Sequence, residues 1–253
     1  MQLPAFIKNS GILELPPSFP WKGDGMHFGP SQGTKLNDDL QKLTVSGLTA
    51  VAVVVEKWLL SRLKVSANIE PFSSYLDAVI AWTADWRYKN ESALDSLIPP
   101  KDSAAHQALR DGIWSLHLMV DDIYWRSPRT ADHCVTAMVG VVKQTLPTKQ
   151  KKAFTDWLNW ATQRAIELAP RPAGTRPLRK NFADDEAYHL AGRPYVGVPL
   201  PPEALDPEAG YKPEQREQLF SKFLSDLDVK KNPFLRSPDD MKKLGFTGTP
   251  YKL

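Results

Sequence analysis

One stretch of a predicted helix gathers the side chains best suited to metal or proton chemistry. His117 and Asp121 are four residues apart, so on a helix they share one face, and Asp122 adds a second carboxylate beside them. With His133, Asp132 or His106 from a neighbouring element, this set could bind zinc, manganese or iron, and the second carboxylate could transfer a proton. The simpler interpretation is structural, a His–Asp pair within one helix or an Asp121 held by an arginine of a facing helix. The arginines that could do so are Arg110, Arg126 and Arg164.

Other catalytic motifs are incomplete or missing in the sequence. The segment from Gly29 to Lys35 has three residues rather than four between its glycines, so we interpret it as a turn into a helix that Thr34 caps, not as a phosphate-binding loop. Cys134 falls on an apolar helical stripe, where a thiol acts as a small hydrophobic group. The chain contains no Gly-x-Ser-x-Gly and no His-Glu-x-x-His. The sequence therefore indicates no catalytic residue and no cofactor.

Tryptophan suggests a second kind of site, one that binds a protein. The chain has eight tryptophans, and most of them should fill the core. Two couples, Trp82 with Trp86 and Trp157 with Trp160, are three or four residues apart on predicted helices. One ring of each couple should therefore lie at the edge of the buried stripe, where tryptophan is enriched in protein interfaces.

The closing segment, residues 244–253, combines turn glycines with Phe246 and Tyr251. It would either fasten the tail to the rest of the chain or dock on a partner. All candidate binding residues are aromatic or acidic: Trp82, Trp86, Trp114, Asp121, Asp122, Trp125, Trp157, Trp160, Phe246 and Tyr251.

The elements that must position these residues are helices. Apolar residues recur at three- or four-residue intervals from Leu36 to Leu63, which is the spacing of one helical face. The same pattern predicts further helices, which open at Pro71 (ending near Lys89), at Asp102 or Ser103, at Ser127 and at a capping Thr148. Since the connections are short, the simplest architecture is an all-α, up-and-down bundle of about five core helices.

Proline divides the chain into three parts. Residues 170–253 contain 12 of the 22 prolines, whereas residues 1–34 and residues 35–169 contain five each. We therefore predict an N-terminal arm (1–34), a helical bundle (35–169) and a proline-rich C-terminal extension (170–253) with short helices near 213–228 and 237–244. The extension has too many aromatic residues to be solvated throughout, so these largely irregular arms should pack on the bundle.

Composition excludes several classes of protein. The 32 basic and 29 acidic residues are spread along the chain, so no basic stripe is available for nucleic acid. The longest uncharged apolar stretch, residues 43–55, is well short of the roughly 20 residues of a membrane-crossing helix. The N-terminus lacks the pattern of a secretory signal, and the single cysteine excludes an intrachain disulfide. We expect a cytoplasmic protein.

These observations favour a non-enzymatic protein-binding module. Its most concrete form is an intracellular inhibitor that neutralises a cognate toxin or enzyme by covering the active site, as immunity proteins do. One alternative is a metal-dependent helical enzyme that uses His117, Asp121, Asp122 and His133. Another is an accessory or structural subunit that assembles with other copies through its arms.

Overall fold

A computed structural model describes most of the chain: residues 3–23, 34–90, 93, 97–124, 131–174 and 177–252, with the backbone alone for 122–124. These residues form ten α-helices and no strand. The predicted all-α fold class is therefore confirmed. The glycine segment 29–33, the helix start at Ser127 and the ring of Trp125 lie outside the described residues.

The helices follow one another in this order: α1 (Ala5–Asn9), α2 (Lys35–Leu40), α3 (Val45–Leu63), α4 (Glu70–Trp82), α5 (Ala104–Tyr124), α6 (Ala131–Thr145), α7 (Thr148–Leu168), α8 (Asp185–Val196), α9 (Arg216–Ser225) and α10 (Pro238–Lys243). Helices α3 to α7 are the long ones, with 13 to 21 residues each. In the described ranges, every helix is too short or too polar to span a bilayer.

Helix α3 lies at the centre of the molecule. It packs against α4, α5, α6 and α7, and each of its residues except Ala50 is buried. A helix that is covered on every side is apolar all round, which explains the run of valines and leucines along it. The same position buries the two charged residues in the middle of α3, Glu56 and Lys57.

The helix predicted over residues 36–63 is interrupted. Helix α2 ends at Leu40, and Thr44 caps α3 by accepting a hydrogen bond from the Gly47 N–H at 3.3 Å. The Thr44 N–H in turn donates to the Ala169 carbonyl at 3.0 Å. This contact with the end of α7 fixes the break. A local pattern of apolar residues carries no information about such a long-range contact, so it cannot predict the break.

Hydroxyl caps are confirmed at three helix starts and absent at one. The side-chain oxygens of Thr34, Ser103 and Ser237 each accept a hydrogen bond from the N–H three residues on, at 3.4, 3.1 and 3.2 Å. The predicted Thr148 cap is wrong, because Thr148 is the first residue of α7 and Pro147 precedes it without a side-chain cap.

Both arms contribute to the hydrophobic core. Ile7 and Ile12 from the N-terminal arm share one buried cluster with α3 to α7, and so do Phe220, Phe234 and Tyr251 from the C-terminal extension. Helices α9 and α10 lie inside the ranges 213–228 and 237–244. Helix α8 was not expected there, since it contains a proline, yet an aspartate caps its start.

Candidate functional site

The predicted His–Asp pair forms on α5. The Nε2 atom of His117 lies 3.5 Å from an Asp121 carboxylate oxygen. The other oxygen of Asp121 accepts a hydrogen bond from the Lys89 ammonium at 3.1 Å. Lys89 is buried and lies 5.8 Å from the centroid of the Trp82 ring. Asp121 therefore joins an imidazole to an ammonium group.

The expectation that an arginine fixes Asp121 is wrong for Arg110 and Arg164, and Arg126 lies outside the described residues. Arg110 donates to the carbonyl of Pro99 at 3.1 Å, and Arg164 pairs with Glu167 at 3.2 Å. Lys89 takes the place of an arginine because the turn after α4 brings it to α5. Helix α4 ends at Trp82 rather than near Lys89, and residues 86–88 form a separate turn of 3-10 helix.

The structure brings together two of the residues considered for a metal site. No three His, Cys, Asp or Glu side chains converge within the described part of the chain. His133 is partly buried near the start of α6, and the side chain of Asp122 is outside the described residues. The Lys89 ammonium neutralises Asp121 and would repel a cation at this carboxylate.

A pocket opens beside His117, between α4 and α5. These two helices both pack on α3 but make little contact with each other. The space left between them has a volume of about 390 Å³ when its open mouth is included. Apolar and polar side chains line this α4–α5 pocket: Tyr75, Leu97, Ile98, Pro99, Arg110, Ile113, Trp114 and His117. Trp114 is 42% exposed, so its ring is also in contact with solvent.

The Tyr75 hydroxyl and the Glu56 carboxyl are among the buried polar groups that have no hydrogen-bond partner in the described residues. Burial raises the pKa of Glu56 to about 8, so the carboxyl is protonated at neutral pH. Burial raises the pKa of Tyr75, and so do the negative charge of Asp121 and, at a pH where it is ionised, that of Glu56, so the phenol keeps its proton. Such groups are rare in folded proteins, because each costs about 1 to 3 kcal/mol.

A separate depression lies beside α1 and α7. We call this depression the aromatic cleft, because four aromatic rings line it: Phe6, Trp58, Trp157 and Trp160. Its volume is about 710 Å³ including its open side, and Pro207 of the C-terminal extension forms part of the wall. Phe6 stacks on Trp157 with centroids 5.6 Å apart and 14° between the planes. The N-terminal arm therefore helps to build the cleft.

The rings of the aromatic cleft differ in exposure. Trp160 is 39% exposed, whereas Trp157 is 5% exposed and donates its indole N–H to the Leu205 carbonyl at 3.2 Å. Trp58 is buried, and its indole N–H has no acceptor among the described residues. The cleft thus combines a fixed floor with one solvent-exposed ring.

The other aromatic candidates make contacts within the chain. Trp82 is buried, with its ring edge to face with Tyr75 at 5.8 Å. Trp86 stacks on His189 of α8 with centroids 4.4 Å apart. Phe246 receives the guanidinium of Arg87 over its ring at 4.9 Å.

Tyr251 fastens the end of the chain to the turn after α4. Its ring stacks on Tyr88 with centroids 4.4 Å apart, and its N–H donates to the Tyr88 hydroxyl at 3.0 Å. Its own hydroxyl donates to the Arg236 carbonyl at 2.6 Å. Of the two roles considered for the closing segment, the structure shows attachment of the tail.

Sequence reasoning missed Glu56 and Tyr75. A signal for Glu56 was present, because a glutamate in the middle of a helix that is apolar all round has to be buried. Tyr75 had no such signal, since a tyrosine on an apolar face commonly finds a partner for its hydroxyl.

Comparison with known proteins identifies no relative. No family model, no curated protein and no solved structure matches this chain. The function must therefore be inferred from the chemistry of the two sites.

Proposed function

We propose that this chain is a non-enzymatic protein-binding module that takes an apolar side chain of its partner into the aromatic cleft. The observation that carries the proposal is the position of Trp160, a 39% exposed indole beside a cleft of about 710 Å³. Exposed tryptophans next to pockets are the residues that most often dominate the energy of protein interfaces.

The lining of the aromatic cleft favours one kind of occupant. Its residues carry no formal charge, and its polar members are Asn9 and Ser10. An aliphatic or proline side chain would bury its surface against the rings, as it does in aromatic grooves that bind extended proline-containing segments. An extended peptide segment of a protein therefore fits the cleft.

Packing keeps the floor of the cleft in place before a partner arrives. Trp58 contacts Phe154 edge to face at 5.5 Å and Phe6 at 6.1 Å. Trp157 is held by its hydrogen bond to Leu205. A preformed site loses little conformational entropy on binding, so more of the contact energy contributes to affinity.

An inhibitor that covers the active site of a toxin or enzyme would be one form of such a module. In that form, an exposed loop beside the partner's active site would enter the aromatic cleft. The rest of the helical surface would then block access of substrate.

A peptide-display selection against the full chain tests the proposal. The selected peptides should share an aliphatic or proline residue, and their affinity should fall about 30-fold for Trp160→Ala, which corresponds to roughly 2 kcal/mol. Trp114→Ala is the matched control, because this ring is similarly exposed but lies at the other site.

Two results would contradict the proposal. One is a selection that enriches no peptide above background. The other is a set of peptides that bind Trp160→Ala as tightly as the unaltered chain.

A further inference from the structure

The aromatic cleft adjoins two segments of opposite charge. Residues 143–152 contain four basic residues and no acidic one, and we call them the basic segment: Lys143, Lys149, Lys151 and Lys152. Residues 203–208 contain three acidic residues and no basic one, and we call them the acidic segment: Glu203, Asp206 and Glu208. Both segments reach the cleft, because Ala153 follows the first, Pro207 belongs to the second, and these two residues line it.

The basic segment lies beside the α7 wall of the cleft. Lys149 precedes Ala153 by four residues, so it lies on the same face of α7, about 6 Å away along the helix axis. The Gln150 side chain donates to the Ser10 carbonyl at 3.3 Å, and Ser10 is another residue of the lining. The first turn of α7 is therefore in direct contact with the cleft.

Positive charge accumulates at the basic segment. Lys152 is paired with Asp156 at 2.6 Å, whereas Lys149 and Lys151 are exposed and form no ion pair with a described residue. Burial and the charge of Lys151 lower the pKa of Lys143, so these two ammonium groups repel each other. A carboxylate brought to this place would relieve the repulsion.

One carboxylate of the N-terminal arm comes near the basic segment. A Cβ atom at Gly11 would lie 3.7 Å from the side-chain nitrogen of Gln150 and 3.9 Å from a carboxylate oxygen of Glu14. Glu14 is exposed, and its single charge can offset only one of the lysines that lack an ion pair. The potential beside this wall is therefore positive.

The acidic segment gives the other wall the opposite potential. Asn9 lines the cleft, and its amide donates to both carboxylate oxygens of Glu208, at 3.2 and 3.1 Å. Burial lowers the pKa of Lys57, and nearby carboxylates, Glu203 and Asp206 among them, act to raise it. One buried ammonium group thus faces several carboxylates, and Glu208 remains exposed.

This pair of potentials distinguishes between classes of partner. A nucleic acid or an anionic membrane has negative charge alone, so the acidic segment would repel it. A partner with positive charge alone would be repelled by the basic segment. A polypeptide segment can have charges of both signs on the two sides of one apolar side chain, and it complements both walls.

We propose that the partner segment that enters the aromatic cleft has mixed charge. Its apolar anchor residue lies between an acidic residue, which faces Lys149 and Lys151, and a basic residue, which faces Glu208. This inference rests on the function proposed above, and it adds the charge of the partner and the orientation of its segment. Complementary charges at the rim of an interface act mainly on specificity and on the rate of association.

The test uses peptides of about twelve residues enriched by display on the full chain, with binding measured by fluorescence anisotropy. The tightest of them, labelled with fluorescein, is the probe. We expect acidic and basic residues on opposite sides of its apolar anchor. Its affinity should fall about tenfold when the NaCl concentration rises from about 20 mM to about 0.5 M, because salt screens exposed charges.

Exchange of charges between the two molecules assigns the contacts. Lys149→Glu should weaken binding of the probe about tenfold at low salt, and lysine in place of the peptide's acidic residue should restore it. Glu208→Lys should in turn be compensated by glutamate in place of the peptide's basic residue. Both positions are exposed, so the variants should fold, as circular dichroism will verify.

Lys180→Glu and Glu70→Lys are the matched controls. Both residues are exposed and lie outside the cleft and its two charged segments, and they change the net charge by the same amounts. Neither substitution should alter the affinity of the probe by more than about twofold.

The inference is overturned, and the proposed function stands, if the enriched peptides depend on Trp160 but have charges of one sign or none. It is also overturned if Lys149→Glu binds the probe unchanged, or if a single-stranded oligothymidylate binds more tightly than the probe. A selection that enriches no peptide overturns both this inference and the proposed function.

Discussion

Gly112 of α5 stands directly over the carboxyl group of Glu56 on α3. A Cβ atom at Gly112 would lie 2.8 and 2.9 Å from the two Glu56 oxygens and 2.4 Å from the Leu59 Cδ2 atom. Real Cβ atoms do not approach other atoms so closely. The missing side chain of Gly112 thus allows α5 to cover a buried carboxyl, and the region around the α4–α5 pocket depends on this approach.

Gly112→Ala should therefore destabilise the protein, although alanine is the better helix former. Overpacking of a buried contact costs about 1 to 3 kcal/mol. The gain in helix propensity from glycine to alanine is only about 1 kcal/mol, and contacts as close as these place the cost toward the upper end of the overpacking range. Urea unfolding followed by circular dichroism measures the difference. In a Leu59→Ala background the closest atom is removed, so the same substitution should cost less. An equal cost in both backgrounds would contradict this explanation.

Glu56 should make stability fall as the pH rises. Burial raises its folded pKa to about 8 from an unfolded value near 4.5, so between these values the folded state binds a proton that the unfolded state releases. The contribution of Glu56 to the free energy of unfolding is fully present below about pH 4.5. Roughly 1.4 kcal/mol of unfolding free energy is then lost per pH unit up to about pH 8.

Glu56→Gln removes this titration. The difference in unfolding free energy between the variant and the unaltered chain should therefore change with pH across that window, in favour of the variant at higher pH. Glu70→Gln is the control, because Glu70 is exposed on the first turn of α4 and its replacement should leave the pH dependence unchanged. A difference for Glu56→Gln that stays constant from pH 5 to about pH 8 would show that the carboxyl is not buried as a neutral acid.

Local sequence patterns predicted what depends on neighbours in the chain. Apolar spacing placed the long helices, and the hydroxyls of Thr34, Ser103 and Ser237 marked helix starts, because capping involves residues three apart. Apolar spacing did not predict the end of α2, since the break before Thr44 depends on a hydrogen bond from the Thr44 N–H to the carbonyl of Ala169, a residue far along the chain.

The candidate sites were predicted less well, for the same reason. The spacing of His117 and Asp121 places both on one face of α5. The cation that meets Asp121 comes from a turn 32 residues earlier, and spacing contains no information about that approach. The exposure of Trp160 beside Phe6 likewise depends on how the N-terminal arm folds back onto α7.

The Lys89–Asp121 ion pair should contribute measurably to stability, because Lys89 is buried and water screens the pair only in part. A double-mutant cycle with Lys89→Met and Asp121→Asn isolates the interaction. We expect a coupling energy of about 1 to 3 kcal/mol from urea unfolding at neutral pH. The exposed pair Lys152–Asp156, replaced in the same way, is the control and should couple by less than about 0.5 kcal/mol. Equal coupling in the two pairs would contradict the buried character of the first.

Tyr251 should hold the C-terminal extension to the body of the protein. Tyr251→Ala removes a buried ring that stacks on Tyr88, and we expect a loss of about 3 kcal/mol in unfolding free energy. Tyr251→Phe keeps the ring and loses only the hydrogen bond to Arg236, for a cost of about 1 kcal/mol.

Limited proteolysis should then cut the segment after α10 faster in the alanine variant than in the phenylalanine variant. Leu244→Ala, a change at a 41% exposed side chain in the same segment, serves as the control. If the alanine variant is as stable and as resistant as this control, the closing segment is not attached through Tyr251.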